Sequence, residues 1–162
     1  MDIAQLISVL KTCIISKSVL QGKLIHQKIV SLGLQNNTTL CKNLISFYFS
    51  CHLYDSAKLV FQTLENPFDI SLWNGLIAAY TKNFMFTEAL QLFERLLHYP
   101  FLIPDSYTYP SVLKACGGLG RINYGKMVHT HLMKTGFLSD VVIASSLVGM
   151  YAKCNVFECA TQ

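Results

Sequence analysis

What this chain has little of narrows its chemistry first. No two of its six cysteines stand three residues apart, so the Cys-x-x-Cys pair of zinc sites and dithiol redox centres is absent. None of the five histidines is followed two residues on by glutamate, which removes the His-x-Glu element of zinc deaminases. Only 14% of residues are charged, and the formal charge of +4 permits a polyanionic partner without demanding one. Apolar runs are short: Val141 to Ala152 lies between Asp140 and Lys153, well under the ~20 residues of a membrane-spanning helix. Residues 1–30 carry four lysines, no arginine and one acid, unlike an Arg- and Ser-rich organellar presequence. Catalysis, a metal, a cofactor, a membrane and a small-molecule substrate are all unexpected.

What is present is repetition. Ser8-Val9-Leu10-Lys11, Cys13, Gly22-Lys23, His26 and Gly33 return as Ser111-Val112-Leu113-Lys114, Cys116, Gly125-Lys126, His129 and Gly136, at a constant offset of 103 residues. The register continues through Leu44/Leu147, Tyr48/Tyr151, Cys51/Cys154 and Ala57/Ala160. A gapless period of this kind marks an array of stacked units, whose function lies on a shared surface rather than in one pocket. Stacking also explains a chain that is 52% apolar, because each unit buries its faces against its neighbours. Cysteines recurring at equivalent positions read as small packing residues between helices. The overlapping sequons in Asn36-Asn37-Thr38-Thr39 read as a turn between units.

Each period subdivides into helical hairpins. Leu72, Trp73, Leu76, Ile77 and Tyr80 form one helical stripe, followed by a break at Asn83-Phe84-Met85. Thr87 is expected to cap the next helix, whose stripe is Ala89, Leu90, Leu92, Phe93, Leu96 and Leu97, ending at Tyr99-Pro100. Gly117-Gly118-Leu119-Gly120 is expected to break a later hairpin, and Gly136 to cap the helix ending near Lys134. The predicted units are 3–37, 38–69, 70–105, 106–140 and 141–162, the last stopping partway into its second helix. Its uncapped apolar end predicts a piece of a longer array or a truncated product. Two lookalikes carry no weight. Gly120 to Lys126 imitates a phosphate loop, but Met127 stands where a hydroxyl is needed and no strand precedes it. His129-Thr130-His131 reads as packing or capping, because His26 stands alone at the equivalent position.

Units of 31 to 36 residues in long, short and standard alternation resemble the plant pentatricopeptide repeat family, in its subclass of mixed repeats. The long unit carries the likeness in Thr108-Tyr109-Pro110-Ser111-Val112-Leu113-Lys114-Ala115-Cys116 and Gly125-Lys126-Met127-Val128-His129. The short unit carries it in Ser146-Leu147-Val148-Gly149-Met150-Tyr151-Ala152-Lys153-Cys154, and the standard unit in Trp73-Asn74-Gly75-Leu76-Ile77. The resemblance implies an all-α solenoid of antiparallel helical hairpins that binds single-stranded organellar RNA, in mitochondrion or plastid. It also implies a part in cytidine-to-uridine editing, with editing cofactor proteins as further partners.

The resemblance further implies residue roles. The fifth and last residues of a unit read a base edge, here Asn74 with Asp105, a pair that reads uridine; Ser145 begins another pair. Second residues flank the base, here Ser71 and Tyr107. Lysines at the thirteenth position, Lys82 and Lys153, face phosphate. The chain departs from this pattern elsewhere. Lys42 with Asp69 fits no base rule and is assigned to phosphate. Ile7 with Asn37 and Pro110 with Asp140 lack a side-chain donor or acceptor at the first position. Two alternatives stand beside this reading. One is a protein-binding scaffold like the tetratricopeptide class, whose units are uniform at about 34 residues. The other is a truncated product without activity.

Overall fold

The computed structural model describes the backbone of residues 1–64 and 69–160, and side chains within that range as far as residue 155. Every regular element among the described residues is helical: α1 (Ile3–Ser16), α2 (Val19–Ser31), α3 (Thr38–Ser50), α4 (Tyr54–Gln62), α5 (Ile70–Lys82), α6 (Phe86–Leu97), α7 (Thr108–Gly118), α8 (Ile122–Thr135) and α9 (Val141–Ala160). One turn of 3-10 helix, Phe137–Ser139, precedes α9. The fold class is all-α, tandem helical hairpins of the solenoid type. The chain forms two compact units, 1–72 and 73–162, whose boundary falls within α5.

Within each hairpin the chain reverses in a few residues, and that requires one residue in the left-handed region. Lys17, His52, Phe84 and Gly120 take this place, with φ of 50°, 58°, 61° and 63°. Only the glycine adopts it without strain; the others cost roughly 1 kcal/mol each, offset by the packing the turn permits.

In the first unit α1 packs on α2 and α3, and α3 on α4. The helix α3 is the most enclosed, burying Leu40, Cys41, Leu44, Ile45, Phe47, Tyr48 and Phe49. Against it lie Leu6, Leu10 and Cys13 of α1 and Ala57, Val60 and Phe61 of α4. Gly22 of α2 lets the Phe47 ring approach so closely that a Cβ there would stand 2.0 Å from its Cζ.

The second unit centres on α7, which packs on α6, α8 and α9. Tyr109, Val112, Leu113, Ala115 and Cys116 are all sealed from solvent. Trp73 and Phe93 are also sealed, and each such side chain contributes on the order of 2–3 kcal/mol of transfer free energy. Tyr99 meets the Trp73 ring edge-on at 5.2 Å, and the Arg95 guanidinium lies 6.0 Å from it.

The recurring histidine makes the same contact twice. His26 Nδ1 and the Tyr48 hydroxyl share a hydrogen bond of 2.6 Å, and His129 Nδ1 and Tyr151 one of 3.0 Å. Burial lowers the His26 pKa from its ordinary value. These histidines are packing groups, and no group of three or more His, Cys, Asp or Glu that could hold a metal exists among the described residues. Cys13, Cys41, Cys116 and Cys154 are buried and form no disulfide. Cys41 donates to the Gln35 carbonyl at 3.1 Å, and burial pushes its thiol up to about 11.

Three local expectations are corrected. Thr87 lies inside α6 and does not cap it; the helix starts at Phe86 after Met85, with no side-chain cap. The glycine run is not wholly a break. Gly117 and Gly118 belong to α7, held there by close approaches that a side chain would obstruct: Met150 Cα of α9 at 3.2 Å and the Phe86 ring at 2.3 Å from an added Cβ. Only Gly120 makes the turn. Finally, α9 runs unbroken to Ala160, where a turn and a second helix were expected within 141–162. Residues 155–160 contain neither glycine nor proline to stop a helix.

Candidate nucleic-acid interface

The helix starts organise the polar residues of this surface. Each first helix begins behind an Asp or Asn whose side-chain oxygen accepts from the opening N–H groups, satisfying donors with no partner inside the helix. Asp2 accepts from Gln5 N at 2.8 Å and Asn37 from Leu40 N at 3.0 Å. Asp69 accepts from Ser71 N at 2.9 Å, Asp105 from Tyr107 N at 2.9 Å, and Asp140 from Val142 N at 2.8 Å. The capping residues Asn37, Asp69, Asp105 and Asp140 are the last residues of the predicted units. A capping role would be worth about 1 kcal/mol each.

Asp105 does more than cap. Its Oδ1 accepts from Asn74 Nδ2 at 2.9 Å, across 31 residues of sequence. Thr108, fully buried at the start of α7, donates its hydroxyl to Asn74 Oδ1 at 2.6 Å. A carboxylate at one end and a hydroxyl donor at the other fix which way the amide points, since a flipped amide would set its oxygen against the carboxylate. Asn74 is half-buried, and these two bonds use one of its two N–H donors and one of two acceptor positions.

Lys42 and Asp69 occupy the corresponding positions of the preceding unit and also meet. Lys42 Nζ lies 3.5 Å from Asp69 Oδ2, both about two-fifths exposed, a geometry worth under about 1 kcal/mol. The Ser71 hydroxyl donates to Asp69 as well. That hydrogen bond is the main cause holding the Asp69 carboxyl below its usual range; the Lys42 charge adds to it and burial opposes it.

Tyr107 is 78% exposed, an aromatic ring left to solvent immediately before α7. Ser145 is exposed on α9, and its hydroxyl is turned back onto the Val141 carbonyl at 2.7 Å. No contact joins Ile7 to Asn37 or Pro110 to Asp140 among the described hydrogen bonds and ion pairs.

Lys82 and Lys153 come together at one place. A groove of about 350 Å³ runs between α5, α7 and α9, and both lysines line it with Lys114, Thr81, Ser111 and Ser146. The Thr81 hydroxyl donates to the Ser111 carbonyl at 3.3 Å, tying α5 to α7 along its floor. Thr108 and Lys114 are the residues that sequence reasoning missed. Lys114 carried a signal, because it stands four residues after Pro110 and so shares its helix face. Thr108 carried none, since its role depends on two residues brought to it by packing.

No family model matches the chain. Three pentatricopeptide repeat-containing proteins of Arabidopsis thaliana are similar to it along nearly its whole length. One is 47% identical over 100% of this chain and 24% of its own length. A second is 38% identical over 95% of this chain and 24% of its own. A third, named as chloroplastic, is 35% identical over 93% of this chain and 30% of its own. The chain thus spans about a quarter of the length of the relatives it matches. These likenesses support the pentatricopeptide repeat family for the region the chain covers.

Proposed function

We propose that this array binds single-stranded RNA in a plant organelle, as part of the specificity surface of an RNA-modification factor of the mixed-repeat subclass. Cytidine-to-uridine editing is the modification this reading favours, with a plastid or mitochondrion as the compartment. Relatives named chloroplastic support the organelle. The relatives are about four times as long as this chain, and editing cofactor proteins would join elsewhere on the assembly.

The observation that carries the proposal is the Asn74–Asp105–Thr108 cluster. A base edge is read by donors and acceptors that hold their positions before the base arrives. Asn74 is held that way and keeps one donor and one acceptor, the complement of a pyrimidine edge such as that of uracil. Tyr107 offers a solvent-facing ring on which a base can stack, worth ~1–3 kcal/mol. Ser71 takes the other flanking role by resemblance alone. Lys82 and Lys153 supply cations for the backbone, while Lys42 is drawn toward Asp69 and contributes less. Ser145 awaits a partner that the described residues do not include.

Titration with fluorescent single-stranded RNA pools at two salt concentrations tests this. Binding weakens as salt rises if phosphates are neutralised. Asn74→Ala is expected to erase a preference for uridine at one position, whereas Lys82→Ala weakens every sequence alike. Equal losses on all RNAs for both variants would remove the base-reading role. Tight binding of a folded protein partner, with no RNA affinity, would favour the scaffold reading.

A further inference from the structure

We infer that the groove between α5, α7 and α9 is a phosphodiester-binding site of the second unit, centred on Lys114. The inference rests on the RNA reading above and deepens it, because the resemblance assigns no role to Lys114. Three helices each contribute one lysine to the groove, and no carboxylate lines it among the described residues. None of these lysines makes an ion pair among the described residues.

The fold builds the site through Gly117. A Cβ at Gly117 would stand 3.4 Å from both Cβ and Cδ of Lys153. The Lys153 stem therefore lies along bare α7 backbone at the groove it lines. The 103-residue period shows that this is special to one unit. Positions equivalent to Gly117, Gly149 and Lys153 hold Ile14, Ser46 and Ser50, so the first unit keeps only Lys11 as the mate of Lys114. The site also suits its position. Pro110, one turn before Lys114, has no side-chain donor or acceptor, so this repeat grips the backbone where it cannot read a base.

Lys114→Met tests the site, with Lys11→Met as the matched control and Lys114→Arg as the charge-keeping rescue. Both lysines are exposed, so the fold should survive, and circular dichroism checks that it does. The readout is the slope of log affinity against log salt on one single-stranded RNA. Lys114→Met should lower the magnitude of that slope by about 0.7, the value of one lost phosphate contact, with Lys114→Arg at the wild-type slope and Lys11→Met nearly so. If the wild type binds with a clear salt dependence and Lys114→Met behaves as Lys11→Met does, the groove is no phosphate site and the RNA reading still stands. If the wild type binds no RNA, both fall together.

Discussion

The two units are built on one period and differ on their exposed faces. Their packing devices agree: Asp2 and Asp105 accept from backbone N–H groups at the starts of α1 and α7, Asn37 and Asp140 do so at α3 and α9, and His26–Tyr48 matches His129–Tyr151. Their exposed stripes diverge. The first unit presents Lys11 and Ile15, the latter 85% exposed, with Lys42 engaged by Asp69. The second presents Lys82, Lys114 and Lys153 around a groove, with the Lys153 stem against Gly117. The period preserves what closes the hairpins against one another, and leaves the exposed stripe free to vary.

The glycines under the stacked helices give the largest way to break that comparison. Gly22→Ala would drive a methyl into the Phe47 ring, which is rigid and fully buried, and is expected to cost about 1–3 kcal/mol. At Gly125 the obstructing atoms are Sδ and Cε of Met150, a flexible side chain that can turn aside. Alanine's better helix propensity, roughly 1 kcal/mol, should then bring Gly125→Ala close to balance. Urea unfolding of both variants checks this, and equal losses would mean that the two interfaces yield alike.

A smaller effect sharpens the histidine match. Tyr48→Phe leaves His26 without its partner in a buried setting and should cost about 1 kcal/mol. Tyr151 is more exposed and its bond is longer, so Tyr151→Phe should cost less, because water can replace the hydroxyl. Thermal unfolding of the pair orders them; the reverse order would refute the account.

The smallest effect is a pH dependence. Burial lowers the His26 pKa, so the folded protein takes up the proton less readily than the unfolded chain does. Stability from this group is whole above the ordinary histidine value of about 6.5 and is lost as pH falls through it. The melting temperature should drop between about pH 7.5 and 5.5, and the drop should shrink in His26→Gln. An unchanged drop in that variant would place the proton elsewhere.

Much of this was legible in the residues. Helical spacing set out the hairpins, Asn83-Phe84-Met85 marked a turn, and Gly136 ends α8 in the left-handed region with φ of 77°. Two of the three misses share one cause. Gly117 and Gly118 read as a break because glycine is a poor helix former, yet neighbouring helices hold them helical. Thr87 read as a cap because threonine is a good one, yet α6 already begins at Phe86. Local propensities are worth about 1 kcal/mol or less, and packing overrides them.

Sequence by itself determined the hairpins up to α8, their order and the 103-residue register, because these follow from spacing along one chain and from turn residues close at hand. Only the tertiary structure decided that Thr108 would lock the Asn74 amide against Asp105, and that three lysines from three helices would share one groove. Those meetings join residues more than thirty positions apart. No local rule sets such distances; the packing of one helix against the next does.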